Sequence, residues 1–373
     1  MSKARLVLEN GSIFEGKVFS KGASCFGELI FNTAMTGYEE VLTDPSYKGQ
    51  VVLFTYPHIG NYGIHEDNPQ SKQPHLQAVV VKEYCHFPSH YRSKYSLQEY
   101  LEQHNIIGIE GVDTRAITRQ LRHVGAMNVL ITDSDEPDDV LIQQVKDYAG
   151  ITGKNLAKEV STPVPYDWEK PEQRNYKVAV IDCGVKFSIL NHLKDLGCEC
   201  TVFPYTVSAD TILTGGFDGV LMSNGPGDPR PVTEAITLVQ NLMGKLPIFG
   251  ICLGHQIICL AAGMNLVKLP FGHHGVNHPI KNMYRDLIEI SSQNHIYNTD
   301  KDSIPEHFSV SHMNLNDHTV AGVRSEELMI FSVQYHPESA PGPNDSNYLF
   351  QDFVYLMEHK VFKDQQQQEL ALQ

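Results

Sequence analysis

The stretch Pro247-Ile248-Phe249-Gly250-Ile251-Cys252-Leu253-Gly254-His255-Gln256-Ile257-Ile258-Cys259-Leu260-Ala261-Ala262-Gly263 passes from an apolar, strand-like run into a second apolar run long enough for a buried helix. Between the two stands Cys252, flanked by Gly250 and Gly254. A strand that switches to a helix around one cysteine predicts a sharp turn, and glycine two positions before and after it removes side chains that would clash there. At the start of a helix, a cysteine faces unpaired N–H groups and the positive end of the helix dipole, which favour a thiolate. The same N–H groups can hold an oxyanion. The pattern is that of a nucleophile elbow with sulfur in place of oxygen; a merely structural cysteine leaves the paired glycines unexplained.

Around this turn, apolar runs at 178–182, 201–204, 219–223 and 248–250 read as strands, and 188–196 and 234–243 as helices. Such alternation predicts an α/β domain with a mainly parallel sheet flanked by helices. Ligands in such sheets bind where loops leave the carboxyl ends of strands. Two loops do so here, the elbow and Asn224-Gly225-Pro226-Gly227-Asp228-Pro229, whose Gly225 and Gly227 could bring backbone N–H groups to a substrate oxygen beside that of Leu253. Further on, 289–292 and 329–335 read as strands, the second delivering His336-Pro337-Glu338. A thiolate needs a base that can return a proton to a leaving group, and the base needs an orienting acceptor. His336 and Glu338 fit those roles, with Pro337 turning the chain so that Glu338 can fold back on the imidazole. His255 is a rival base whose helical position points it away from the strand ends. His273, His274 and His278 have no acidic or thiolate partner at ligand spacing, so no metal is expected.

The first half of the chain reads as a mainly β domain. Leu8-Glu9-Asn10-Gly11-Ser12 joins two strand-like runs as a hairpin turn, and strands are expected at 28–32, 50–55 and 76–81. Ser96 and Glu99 form a capping box. Arg115, Arg119 and Arg122 share one face of a helix over 113–122, either solvated or a docking surface. The segment 35–50, rich in Gly, Pro, Thr and Tyr, suits an ordered loop at a site. The expected divisions are 1–135 for this domain, 136–175 for a short helix and a Pro-rich linker ending near Asn175, 176–360 for the α/β domain, and a Gln-rich tail over 361–373.

Composition bounds the rest. The 373 residues are 41% hydrophobic and 20% charged with a formal net charge of −15, which argues against a nucleic-acid track or an anionic membrane as partner. Seven cysteines, an odd number in a long chain, read as reduced thiols. With no apolar signal core after Met1 and no run of membrane-spanning length, a cytoplasmic location is expected.

Gly250-Ile251-Cys252-Leu253-Gly254-His255-Gln256 together with Gln334-Tyr335-His336-Pro337-Glu338 resembles the class I, or triad, glutamine amidotransferases. Asn32-Thr33-Ala34-Met35-Thr36-Gly37-Tyr38, Leu42-Thr43-Asp44-Pro45-Ser46-Tyr47, Thr55-Tyr56-Pro57-His58-Ile59-Gly60-Asn61 and Ser223-Asn224-Gly225-Pro226-Gly227-Asp228-Pro229 narrow this to a resemblance to the small, glutamine-hydrolysing subunit of carbamoyl-phosphate synthase, from about residue 5 to 357. The resemblance implies Cys252 as nucleophile, His336 as acid/base and Glu338 as its orienter. It places Ser46, Gly225, Gly227, Leu253, Gln256, Asn294, Ile296 and Tyr297 around L-glutamine. It also implies a heterodimer, or a higher oligomer, with a large subunit that carries ATP and Mg and joins ammonia to activated bicarbonate; no cofactor is expected on this chain. The product could serve arginine synthesis, pyrimidine synthesis or both. A catalytically weak interaction subunit with the same fold is the alternative. Its one support is Ile296, which stands where the family shows glycine in Ser-Gln-Asn-His-Gly: if that position takes positive φ or lets substrate approach its backbone, a β-branched residue is strained or obstructive there. Lys186-Phe187-Ser188 likewise replaces a more polar run, so local contacts there are expected to differ.

Overall fold

The first hairpin forms between Lys3–Leu8 and Ile13–Ser20, paired antiparallel with Leu6 opposite Phe14. Gly11 takes the positive φ of the turn, +90°. In the computed structural model, which describes residues 2–65 and 67–363, this hairpin is part of a closed barrel. Its strands run in the order Lys3–Leu8, Ile13–Ser20, Ile107–Glu110, Ala78–Val80, Gln50–Phe54, Cys25–Asn32 and Met127–Thr132, the last pairing back to the first. Successive residues of the central strands alternate between two cores: Leu29, Val51, Leu53 and Val80 fill one side with Ile107 and Val129, while Ile30, Val52, Phe54 and Val79 meet Tyr38, Leu42, Leu97 and Leu101 on the other. Strands covered on both faces have no polar face to show, which is why they read as continuous apolar runs. The capping box is present: Ser96 Oγ accepts from the Glu99 N–H, and the Glu99 carboxylate accepts from the Ser96 N–H, opening the helix Leu97–Gln103.

The chain divides into two units, residues 1–154 with 269–275 and residues 155–268 with 276–373. The boundary expected near Asn175 therefore falls twenty residues earlier. Leu141 and Val145 of the helix Asp138–Asp147 pack on Val7 and Leu130 of the barrel, which draws that helix into the first unit. The Pro-rich stretch after it is not a free linker. Ala157 joins the core of the second unit, Tyr166–Asp167 pairs antiparallel with Cys198–Pro204, and the Trp168 ring packs on Phe187 at 5.0 Å. Pro163 and Pro165 stand just before this edge strand, outside its ladder. The expected Gln-rich tail lies almost entirely outside the described residues.

In the second unit, Cys198–Pro204, Tyr176–Asp182, Gly219–Met222, Ile248–Ile251 and Ile330–Val333 are neighbours in that order, every pair parallel. Val320–Ser325 and Ser309–Asn314 extend the sheet antiparallel, and the long strands Leu266–Asn282 and Leu287–Thr299 end it. Helices Ala209–Thr214, Thr233–Leu242 and Leu253–Ala261 bury Ile212, Leu238 and Ile257 against one set of strand residues, including Ala179, Val220 and Ile248. Helices Phe187–Asp195 and Tyr348–His359 bury Ile189 and Phe353 against the alternate set, including Val180, Leu221 and Phe249. Among the described residues, no helix is long and apolar enough to cross a membrane.

Candidate active site

Cys252 is the residue at which the strand Ile248–Ile251 becomes the helix Leu253–Ala261, and its φ of +52° is one that L residues adopt at a cost of about 1–3 kcal/mol. Surrounding contacts hold it there. Its N–H donates to the Val333 carbonyl at 2.9 Å, and its carbonyl accepts from the Gln256 N–H at 3.1 Å. The flanking glycines answer to crowding rather than to torsion. A Cβ on Gly254 would stand 2.1 Å from the Met222 carbonyl oxygen, and one on Gly250 would stand 2.5 Å from Ile258 Cδ1 and 3.0 Å from the Gly254 carbonyl. The helix start can thus press against the neighbouring strands, and the first N–H groups of a helix have no intrahelical partner.

The Cys252 thiol is buried and contacts the Asn294 carbonyl at 3.5 Å and Gln334 Nε2 at 3.9 Å. His336 follows the strand Ile330–Val333, parallel neighbour of the cysteine's strand. Its Nδ1 lies 2.7 Å from Glu338 Oε1, and its other nitrogen, Nε2, is buried without a hydrogen bond. Lys186 completes the row: its ammonium is 2.8 Å from the same Glu338 oxygen and donates to the Ser339 carbonyl at 2.7 Å. All three side chains are buried. Burial pulls the imidazole pKa down, but Glu338 and Cys252 outweigh it and raise the value above that of an ordinary histidine. For Glu338, burial pushes up, yet the Lys186 and His336 charges hold the carboxyl below its ordinary range.

His255, the rival base, is spent elsewhere. Its ring nitrogens meet Ser332 Oγ at 2.8 Å and Thr299 Oγ1 at 3.1 Å, and burial lowers its pKa to about 3, so it stays neutral.

Of the remaining expected site residues, Gly225 lies against the helix start, where a Cβ would stand 2.7 Å from Leu253 Cδ2 and 2.2 Å from the Cys183 carbonyl oxygen. Gly227 takes φ +79° beside Leu156. Gln256 Nε2 donates to the Tyr297 carbonyl at 2.9 Å and to Gln334 Oε1 at 3.1 Å, tying the helix to the strand that carries Asn294, Ile296 and Tyr297. Ile296 is not among the positive-φ residues. The strain expected of a β-branched side chain there is absent, because the position belongs to the strand Leu287–Thr299. Ser46 lies in the other unit, in the single turn Pro45–Tyr47, its N–H held by Asp44 Oδ1 at 2.8 Å. Among the described residues, no group of three or more His, Cys, Asp or Glu side chains could hold a metal.

Two contributions were invisible in the sequence. Lys186 enters the sequence reading only in a run whose local contacts are expected to differ, and nothing there points to the carboxylate it meets. Asp228 holds Arg230 through several hydrogen bonds and accepts from the Tyr297 hydroxyl at 3.3 Å, while Arg230 lies over the Tyr297 ring at 5.1 Å.

A thiol at a strand-to-helix turn beside a His–Glu pair is the arrangement of a class, and comparison with known proteins agrees: residues 179–356 match the class-I glutamine amidotransferase family, and residues 6–131 match the carbamoyl-phosphate synthase small chain, CPSase domain. The carbamoyl phosphate synthase small chain of Staphylococcus epidermidis is 46% identical over 99% of both chains. That of Syntrophotalea carbinolica is 44% identical over 95% of this chain and 98% of its own, and the pyrimidine-specific small chain of Bacillus subtilis 43% over 95% and 96%. The chain belongs to the family of carbamoyl phosphate synthase small chains.

Proposed function

We propose that this protein is the glutamine-hydrolysing amidotransferase subunit of a carbamoyl-phosphate synthase, with the turn at Cys252 serving as a nucleophile elbow at the carboxyl end of an interior strand of a helix-flanked parallel sheet. The observation that carries the reading is the buried row Cys252, His336, Glu338. The thiolate attacks the side-chain amide carbon of L-glutamine, and the negative charge that develops on oxygen is met by the N–H of Leu253 and the loop of Gly225 and Gly227. Such donors contribute about 3–4 kcal/mol each. The C–N bond breaks as the His336 imidazolium gives its proton to nitrogen, so ammonia leaves and a glutamyl thioester remains on Cys252. Neutral His336 then takes a proton from water as its oxygen attacks the thioester; glutamate departs, and the thiolate and imidazolium re-form. Gln256, Asn294, Ile296 and Tyr297 line the glutamine position in this reading.

Ammonia in water near neutral pH is mostly ammonium and no longer nucleophilic, so it must pass directly to a partner. That partner is a large chain in a cytoplasmic heterodimer, where ATP and Mg activate bicarbonate; this chain needs no cofactor of its own. The alternative of an inactive interaction subunit loses the strain half of its support with the unstrained backbone of Ile296. Cys252→Ser should abolish glutamine-dependent carbamoyl phosphate formation by the reconstituted complex and leave formation from added ammonia intact; loss of both would remove Cys252 from the role assigned to it.

A further inference from the structure

The chain has nine arginines. Arg5, Arg92, Arg174, Arg230, Arg285 and Arg324 each hold a carboxylate at 2.6–3.2 Å. The three that hold none among the described residues are Arg115, Arg119 and Arg122, and they stand together. All three are exposed on the helix Thr114–Val124, whose opposite face buries Ile117 and Leu121 in the barrel core. Asp113 caps that helix by accepting from the Ala116 N–H at 2.9 Å, which fixes where it starts and so which face looks outward.

Local stability does not account for the stripe. A cation in the last turn, such as Arg122, is favoured by the helix dipole, but Arg115 occupies the first turn, at the positive end, where a cation is disfavoured. At spacings of four and three residues the guanidiniums also repel one another. In a chain of net charge −15, carboxylates are plentiful, yet among the described residues none forms an ion pair with these three. Residues that work against their own element mark a surface kept for something else.

We infer that the Arg115, Arg119 and Arg122 face is a docking surface for a carboxylate-rich patch on the ammonia-consuming large chain; the inference rests on the function proposed above. Three guanidiniums on one rigid helix offer forked donors to carboxylates at fixed spacing, and such a stripe speeds encounter and fixes orientation. Nucleic acid would also neutralise it, but its approach is opposed by the negative charge of the whole chain.

The test titrates the full-length protein with its large chain. Arg115→Glu/Arg119→Glu/Arg122→Glu should weaken the complex by about tenfold or more at low salt and remove most of its salt dependence. The corresponding three-lysine variant should keep the salt dependence but bind about threefold to tenfold more weakly than wild type, since charge is kept and the forked geometry is lost. Glutamine hydrolysis by the free chain and its thermal unfolding should be unchanged or slightly improved in both. Equal affinity of the glutamate variant and wild type would overturn the inference and leave the proposed function standing. Failure of the wild-type chain to bind a large chain at all would remove that function and this inference together. Retention of a DNA or RNA duplex by wild type but not by the glutamate variant would assign the stripe to nucleic acid instead.

Discussion

Lys186 shows how a single residue sets the chemistry of its neighbours. An ionised carboxylate at a fully buried site is costly unless paired, and Glu338 has two cations on one oxygen, the Lys186 ammonium at 2.8 Å and the His336 ring at 2.7 Å. With Lys186 gone, Glu338 would compete with its own desolvation on the strength of His336 alone. Its hold on Nδ1, which leaves Nε2 free for the reaction, would weaken. Lys186→Met should therefore destabilise the fold by about 3–5 kcal/mol, the usual cost of breaking a buried pair. It should also lower kcat/KM for glutamine hydrolysis by about tenfold or more, part of what general acid–base catalysis supplies. A variant as active and stable as wild type in hydrolysis assays and denaturant titration would show that His336 suffices. None of this was legible locally, because the Ser339 carbonyl that helps bury Lys186 is 153 residues away. Ile296 erred the other way: a family glycine suggested an unusual torsion, whereas the torsion here is that of an ordinary strand.

At the scale of elements, the strand-to-helix turn was legible because its constraints are short-range. Gly250 and Gly254 are needed for contacts within a few residues or across one adjacent strand, and the sequence displays them at fixed spacing. The same holds for the Ser96 capping box and for the helix Thr114–Val124, whose period follows from Ile117 and Leu121. Barrel closure was not legible, since the pairing of Lys3–Leu8 with Met127–Thr132 joins residues over 120 apart, and no local pattern records it. Nor was the true unit boundary, because prolines at an edge strand read like prolines in a linker. Gly254→Ala tests the turn. With the Met222 carbonyl 2.1 Å from the added methyl carbon, backbone must yield, and the helix Leu253–Ala261 would move off the sheet and carry the Leu253 N–H with it. Alanine's better helix propensity, worth about 1 kcal/mol, cannot offset a backbone clash of that depth. The variant should be less stable than wild type in thermal melts and should hydrolyse glutamine at least about a hundredfold more slowly, as expected for loss of an oxyanion donor. Unchanged stability would mean that the helix has room the structure does not show.

Over the whole molecule, buried titratable groups pull stability in opposite directions with pH. His75, His255 and His312 are held neutral by burial, at pKa values of about 4, 3 and 3, so their contribution is lost as pH falls. Burial raises Glu39 to about 7, so its contribution is lost as pH rises. A single stability profile therefore mixes many groups, and the Cys252 set is better read as a difference between variants. His336 is raised when folded; its contribution is complete below the unfolded value near 6.5 and is lost as pH rises toward the folded one. Glu338 is lowered when folded; its contribution is complete above the unfolded value near 4.5 and is lost as pH falls. The stability gap between wild type and His336→Asn should thus be widest below about pH 6.5 and close as the medium turns alkaline, whereas the gap for Lys186→Met should be widest above about pH 4.5 and close in acid. Thermal melts of the three proteins from about pH 2 to 10 would measure both. Gaps that stayed constant with pH would mean that Lys186, Glu338 and His336 pack together without sharing charge, and that the imidazolium needed to release ammonia is made only when glutamine arrives.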